Sequence, residues 1–295
     1  MATTIITPGT PAGWHPDSQG LAPEQHIPDA LVLQITSKVG EVVGDNQSTL
    51  VPLVDVDAIP AYVAEGSPLP DGDPDTTHIE IRNSKCGIVV DVSEEQFHAS
   101  SISELLSREV MRALQVKSNY LLLNQAAPVS PATQPVEGIL SQGTEVADPL
   151  SENLDPLVWA VAAVESLPDG QATHILVDPL GWAFIQTIKQ FTGSSESNAN
   201  LLGLGVTGAS KFLLGVPVIV TSAMPASTLA VVDKKRLLST YSNIRTKVSD
   251  HVGFKSETLS IRASLRQGVK VNNSEAVQVI SVGDGSGDLG EGEGE

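Results

Sequence analysis

The chain has 295 residues, 41% hydrophobic but only 4% aromatic, and a formal net charge of −18 at pH 7. That length holds one large or two ordinary domains around an aliphatic core. The negative charge argues against DNA recognition as the main task, because phosphate binding needs clustered Lys and Arg. A single cysteine, Cys86, excludes an internal disulfide or a Cys-based zinc site and fits synthesis in a reducing cytosol.

The opening Met-Ala-Thr-Thr-Ile-Ile lacks a basic region followed by an apolar stretch, so no signal peptide is expected. No apolar run approaches the roughly 20 residues that cross a bilayer, and no membrane partner is expected. Residues 1–28 hold five prolines and no periodicity; they read as a solvated tail or as an arm that orders against a neighbouring subunit. From Leu31 to Val43 apolar residues recur at mixed spacing, and Asp45–Ser48 is a turn. Leu50–Asp57 partly alternates, as a strand does, and Ala61–Gly66 reads as a second short strand. Ser67–Asp75 is an exposed turn, and His78–Ile81 alternates again. Together they predict a long hairpin with an acidic tip and little core of its own, which must lean on something else. Asp71, Asp73 and Asp75 invite a calcium-loop reading, but Thr76 and Arg82 stand where an EF-hand needs Gly and Glu.

Cys86–Val92 has the composition of a buried strand. Ser101 and Glu104 match a capping box, and behind them Ile102, Leu105, Leu106, Val110, Met111, Ala113, Leu114 and Leu121 form one helical stripe reaching about Asn124. Ala126–Asp148 is a Pro- and Gly-rich loop with a short strand expected at Gly138–Leu140. Asp155-Pro156 predicts a capped helix with Leu157, Val158, Val161, Val164 and Leu167 on one face, ended by Pro168-Asp169-Gly170. Thr173–Val177 is a short strand that Asp178-Pro179 stops, starting a helix whose apolar face is read as Leu180, Ala183, Phe184 and Ile188. Gly193–Asn198 is a loop. Val216–Thr221 is an apolar strand in which Pro217 belongs near a sheet edge or strand start, and Thr228–Val232 is another. Lys234-Lys235-Arg236 reads as a solvated turn. Asn243–Ser249, Glu257–Val271 and Ala276–Val282 read as strands; the second sets Leu259, Ile261, Ala263 and Leu265 against Ser260, Arg262, Ser264 and Arg266. Alternating arginines suit a sheet face that meets an acidic neighbour. Residues 283–295 are mostly Gly, Asp and Glu, with no core potential.

This ordered set resembles the major capsid proteins of tailed phages of the Hong Kong 97 type. The resemblance is carried by Ile175–Val177, Asp178-Pro179, Trp182, Leu213-Leu214-Gly215-Val216-Pro217-Val218 and Ala223–Ser227, by Tyr62–Pro70, and by Arg266-Gln267-Gly268. It implies an α+β Hong Kong 97-like fold. Its parts are an N-terminal arm (1–43), an extended loop (44–85), a peripheral domain with a spine helix (86–150 and 241–282), an axial domain (151–240) and an acidic disordered tail (283–295). It further implies a virion subunit, assembled in the host cytoplasm into pentamers and hexamers around DNA bound without sequence specificity, with a scaffold protein, a portal and a decoration protein as partners. Candidate inter-subunit contacts are Tyr62, Glu65, Leu69, Asp71, Asp73, Arg262 and Arg266. Some relatives join subunits by a Lys–Asn bond promoted by a Glu; the corresponding positions fall near Leu69, Glu257 and Ser264, with Lys85 the nearest downstream lysine. No such self-cross-linking is therefore expected. An encapsulin-like compartment is the alternative within this fold, and a soluble α/β nucleotide-binding enzyme the alternative outside it.

No catalytic, cofactor or metal residues are assigned. Gly203, Gly205 and Gly208 fit the letters of a dinucleotide fingerprint but lack the preceding strand and following helix it needs. The six histidines are scattered, and no nucleophile elbow or phosphate loop occurs.

Overall fold

The computed structural model describes residues 22–42, 46–56, 62–63, 74–95, 102–151, 153–188, 211–253 and 256–283. Two sheets share a core, and a two-stranded hairpin stands beside them. The first described segment holds α1 (Pro23–His26), α2 (Leu31–Ile35) and β1 (Ser37–Glu41). Ile27, Ala30, Leu31, Val32 and Ile35 are buried in the shared core. Residues 22–42, assigned above to a tail or arm, therefore pack into their own subunit. The spacing explains it: Ile27, Leu31 and Ile35 recur every four residues, and burying each large aliphatic side chain contributes about 2 kcal/mol. Polar contacts reinforce the docking. Tyr241 Oη donates to Glu24 Oε1 at 3.0 Å, and Lys38 Nζ lies 3.5 Å from that oxygen and 4.2 Å from the Tyr241 ring centre. Burial, then the Glu24 hydrogen bond, pushes the Tyr241 hydroxyl up to about 12.

The hairpin is β2 (Ser48–Val56) with β3 (Pro74–Arg82), paired without interruption from Ser48↔Arg82 to Val56↔Pro74. Of the strand expected at Ala61–Gly66 only Tyr62 and Val63 are described, and they lie in no strand; the rest falls outside the described residues. The partner of β3 is β2. Pro52 is tolerated because β2 pairs on one side only.

In the five-stranded sheet the long central strand is β12 (Thr258–Val271). One of its edges pairs with β4 (Ser84–Ser93). The other pairs in turn with β11 (Arg245–Gly253) and β10 (Leu237–Tyr241), and β1 lies parallel to β10. The alternation read in β12 is realised: Ile261, Ala263 and Leu265 are buried, and Arg262 is exposed. It packs against α3 (Ile102–Asn124) through Val110, Leu114, Leu122 and Leu123. Buried Gln267 accepts from Ser118 Oγ and donates to the Ser118 carbonyl at 2.9 Å. β12 runs unbroken through Arg266-Gln267-Gly268. Gly268 is required there, because a Cβ would meet the Arg82 carbonyl oxygen at 2.2 Å. β4 is buried on one face only: Cys86 and Val92 point inward, whereas Val89 is 60% exposed. That corrects the expectation of a fully buried strand, which composition alone could not distinguish from a half-buried one. The Ser101–Glu104 capping box lies outside the residues whose side chains are described.

The loop after α3 corrects another expectation. Gly138–Leu140 forms no strand; Ile139–Gln142 is a single helical turn, α4, followed by β5 (Thr144–Glu145). Gly138 lies so close to Leu123 that a Cβ would sit 2.4 Å from the Leu123 carbonyl oxygen, which fixes where the loop leaves the helix.

The second sheet has the order β5-β13-β9-β6-β8-β7, with β6 (His174–Val177), β7 (Phe212–Leu213), β8 (Val216–Val220), β9 (Thr228–Val232) and β13 (Val277–Ser281). Its strands cross the domain boundaries drawn from the sequence, since β5 and β13 complete the sheet of the 151–240 segment. Pro217 is the second residue of β8, whose outer neighbour is the two-residue β7, so its missing donor falls near an edge. The central strands are buried on both faces and so read as continuous apolar runs. Leu176, Ala230 and Val232 face the shared core. Ile175, Val177, Leu229 and Val231 face α5 (Asp155–Glu165) and α6 (Pro179–Thr187).

Asp155 does not cap α5. It is the first helical residue, and its N–H donates to Asn153 Oδ1 at 3.2 Å. Asp178 does cap α6, accepting from Gly181 N at 3.0 Å and Leu180 N at 3.2 Å while itself 3% exposed. Asp178→Ala removes both bonds in a buried setting and is expected to lower stability by about 2 kcal/mol, read as a shift in urea midpoint. An unchanged midpoint would show that backbone packing alone holds the start of α6.

The turn at Lys234–Arg236 closes on buried Asp233, which accepts from Lys235 N at 3.0 Å and pairs with Arg236 Nε at 3.7 Å. Lys235 is exposed, as a solvated turn implies, whereas Lys234 and Arg236 are half-buried.

Candidate subunit-contact site

The sheet face of β12 turned away from the core gathers charge. Its register with β11 and β4 sets three rows: Val89–Arg262–Lys247, Gly87–Ser264–Arg245, and Lys85–Arg266 with Ser242 alongside. Ser242 Oγ accepts from Arg266 N at 3.0 Å. The rows stand about 6.7 Å apart, the repeat of every second residue on a strand. Gly87 and Ser264 are small and leave a hollow of about 280 Å³ lined by Lys85, Ser242, Arg245, Lys247, Arg262, Ser264 and Arg266. Five of the chain's 17 basic residues therefore face one hollow, and no carboxylate is among its described lining. One row further out, Asp91 accepts from Ser260 Oγ. Lys85 lies directly opposite Arg266, and Lys247 opposite Arg262.

Arg262 and Arg266 were named from the sequence, and the fold brings them together. Lys85, Arg245 and Lys247 were missed. The signal was present for two of them: Arg245 and Lys247 are two residues apart and Arg262 and Arg266 four, both even spacings that put a pair on one face of a strand. Glu65, Leu69, Asp71 and Asp73 lie outside the described residues, as do Gly203–Gly208 and the 193–198 loop. Tyr62 is described and fully exposed, and Leu50 on the hairpin stem is 64% exposed. On the stem, Arg82 Nη2 stands 3.3 Å from Glu80 Oε2 and holds that carboxyl below its usual range.

The helices flanking the second sheet also expose apolar surface. α6 buries Gly181, Trp182 and Ile185 and leaves Leu180, Ala183 and Phe184 outward, the reverse of the face assigned from the sequence, although Ile188 is buried as expected. Both faces of this helix are apolar, so periodicity could not choose; packing the larger Trp182 inward did. On α5, Trp159 is 73% exposed.

Cys86, the one thiol, is buried, and burial pushes its pKa up. Among the described residues no three His, Cys, Asp or Glu side chains gather to hold a metal, and no helix is long and apolar enough to cross a membrane.

These features define a class of protein: an α+β structural subunit with a cluster of five basic residues on one sheet face, a projecting hairpin and apolar helix faces turned outward. The model of the phage capsid family matches residues 36–282. The chain belongs to this family and is a phage major capsid protein, a structural component of a bacteriophage shell. Solved structures share the fold over nearly the whole chain. A structure from Gordonia phage Cozz has a TM-score of 0.68 at 12% identity, with 94% of this chain and 91% of that one covered. One from Microbacterium phage Oxtober96 has 0.65 at 14%, with 96% of each covered. The capsid of a native GTA particle has 0.64 at 16%, with 86% and 90% covered. No match is found among curated protein sequences.

Proposed function

We propose that the chain builds the icosahedral shell of a tailed double-stranded DNA phage, as pentamers and hexamers with a Hong Kong 97-like subunit. The observation that carries this reading is the extent of the family match, which takes in every described strand from β1 to β13. In this reading the five-stranded sheet with α3 as spine is the peripheral domain, the six-stranded sheet with α5 and α6 is the axial domain, and the β2–β3 hairpin is the extended loop. Tyr62, Glu65, Leu69, Asp71 and Asp73 of the loop, with Arg262 and Arg266, make contacts between copies. Those contacts act in place of covalent links, since Ser264 and Leu69 cannot supply the groups such a link needs. Burial of apolar surface between copies drives assembly. The shell forms in the host cytoplasm with a scaffold protein, a portal and a decoration protein, and encloses DNA without reading its sequence.

The test is the size of the purified full chain by sedimentation and negative-stain microscopy, alone and co-expressed with the other structural genes of its phage. Shells or capsomer rings of megadalton mass are expected. Persistent 30.9 kDa monomers under both conditions would overturn the reading. Shells packed with protein cargo instead of DNA would move it to a compartment.

A further inference from the structure

The basic hollow has a chemistry that selects its occupant. We infer that it docks the acidic segment Asp284–Glu295 of a neighbouring copy in the shell, an inference that rests on the shell-forming reading above. Three observations carry it.

The first is charge. Residues 284–295 hold five carboxylates (Asp284, Asp288, Glu291, Glu293 and Glu295) and no Lys or Arg, against five cations around the hollow. The second is spacing. Glu291-Gly292-Glu293-Gly294-Glu295 carries an acid at every second residue. In an extended chain that is about 6.7 Å between carboxylates and about 13 Å from first to last, the repeat and span of the three rows on β12. Glycine at the alternate positions lets the segment's backbone lie close to Ser264, a small residue of the lining. The third is polarity. Every described residue lining the hollow is polar or charged, and the segment has one apolar side chain, Leu289. The acidic hairpin tip is a poorer fit, because it carries Tyr62, Val63 and Leu69 alongside its acids and those seek apolar surface.

The source is a second copy because of where the segment starts. Gly283 leaves the six-stranded sheet with its N–H bonded to the Leu150 carbonyl. The cations stand on the face of β12 opposite Leu265, Val269 and Val271, which share a core with β13 and β9. Twelve residues reach about 40 Å when extended, and the chain's own segment would spend that length turning around a sheet edge. A neighbour approaching the outer face has no such detour.

The experiment uses particles assembled from two co-expressed copies of the full chain, one carrying Ser264→Cys and the other Glu293→Cys, exposed to a mild oxidant; native Cys86 is buried in both. A disulfide-linked dimer is expected, and adding Arg262→Glu and Arg266→Glu to the first copy should lower its yield by about tenfold or more. Assembly of the unsubstituted chain reads the shell function separately: absence of particles sinks that reading, whereas normal particles without the dimer overturn this inference alone. A dimer formed with Asp73→Cys and not with Glu293→Cys assigns the hollow to the hairpin tip and overturns it. So does a link formed within a single doubly substituted chain. Retention of a labelled oligothymidylate that the Arg262→Glu/Arg266→Glu pair abolishes, with no dimer, assigns the face to nucleic acid and overturns it equally.

Discussion

Replacing residues 57–73 by an Asn-Gly turn is expected to leave a folded subunit that no longer makes stable shells. The excision falls beyond the last hairpin pair, Val56↔Pro74, so a two-residue turn can close the ladder without moving its register. The two described residues of the tip, Tyr62 and Val63, are not part of the shared core. The hairpin's anchor is at its other end, where Ile81 and Asn83 are fully buried, whereas Leu50 and Leu53 on the stem and Tyr62 beyond it face outward. A two-stranded ribbon has little stability of its own and adds little to the body that carries it. The thermal midpoint of the isolated subunit should therefore move by no more than about 2 °C.

Assembly should respond differently. The excised stretch includes Asp57, Glu65, Asp71 and Asp73, and no Lys or Arg lies anywhere between residues 49 and 81. In the proposed shell those acids and Tyr62 are expected to meet a neighbouring chain. Losing about 3 kcal/mol at each copy's contact lowers its association constant by about 100-fold. The yield of sedimenting shells at fixed protein concentration is the readout. Wild-type yield from the excised chain would remove the hairpin from the contacts that hold the shell.

How much of this was legible in the sequence depended on whether one local signal pointed to one answer. α3 and β12 were readable because each has a single apolar period over many residues: Val110, Leu114 and Leu121 on the helix, and Ile261, Ala263 and Leu265 on the strand. The start of α6 was readable because Asp178-Pro179 is a specific chemical device. Where two answers satisfied the same pattern, reading failed. α6 is apolar on both faces, and the choice of Trp182 over Leu180 and Phe184 belongs to the sheet beneath it. β10 was not anticipated at all, because Leu-Leu-Ser-Thr-Tyr neither alternates nor stays apolar; its polar members are buried by partners more than 150 residues away, Thr240 by Asn83 and Ser239 by Thr36. The site shows the same division. Arg262 and Arg266 advertised themselves by alternation within one strand. Lys85 joined them only through the pairing of β4 with β12, which is a tertiary fact.

Asn83 is where those long-range dependencies meet, and Asn83→Ala is expected to be the most destabilising polar substitution among the described residues. It sits between β3 and β4 with no exposure. Its N–H donates to the Gln47 carbonyl at 2.7 Å, and its carbonyl accepts from Gln134 Nε2 at 3.0 Å. Its side chain accepts from Thr240 Oγ1 at 2.6 Å and donates, at 3.4 Å each, to the Asn46 carbonyl and Thr49 Oγ1. Three of these bonds belong to the amide that alanine lacks. Their loss leaves the buried Thr240 hydroxyl without its acceptor, at a cost of about 3 kcal/mol in total. For a chain of this size that lowers the thermal midpoint by about 5 °C.

The same amide fixes where the hairpin stem meets the body. Asn46 and Thr49 lie at the start of β2, Thr240 is in β10, and a Cβ on Gly268 of β12 would meet Asn83 Oδ1 at 2.6 Å. Asn83→Ala should therefore lower shell yield even at temperatures where the subunit remains folded, because the hairpin loses its fixed exit from the sheet. Thr240→Val, which removes one of the three side-chain bonds and keeps the shape, should cost about 1 kcal/mol and leave assembly intact. If the two substitutions destabilise equally, the side-chain bonds to Asn46 and Thr49 contribute nothing and the stem is held by Ile81 and the backbone bonds of Asn83.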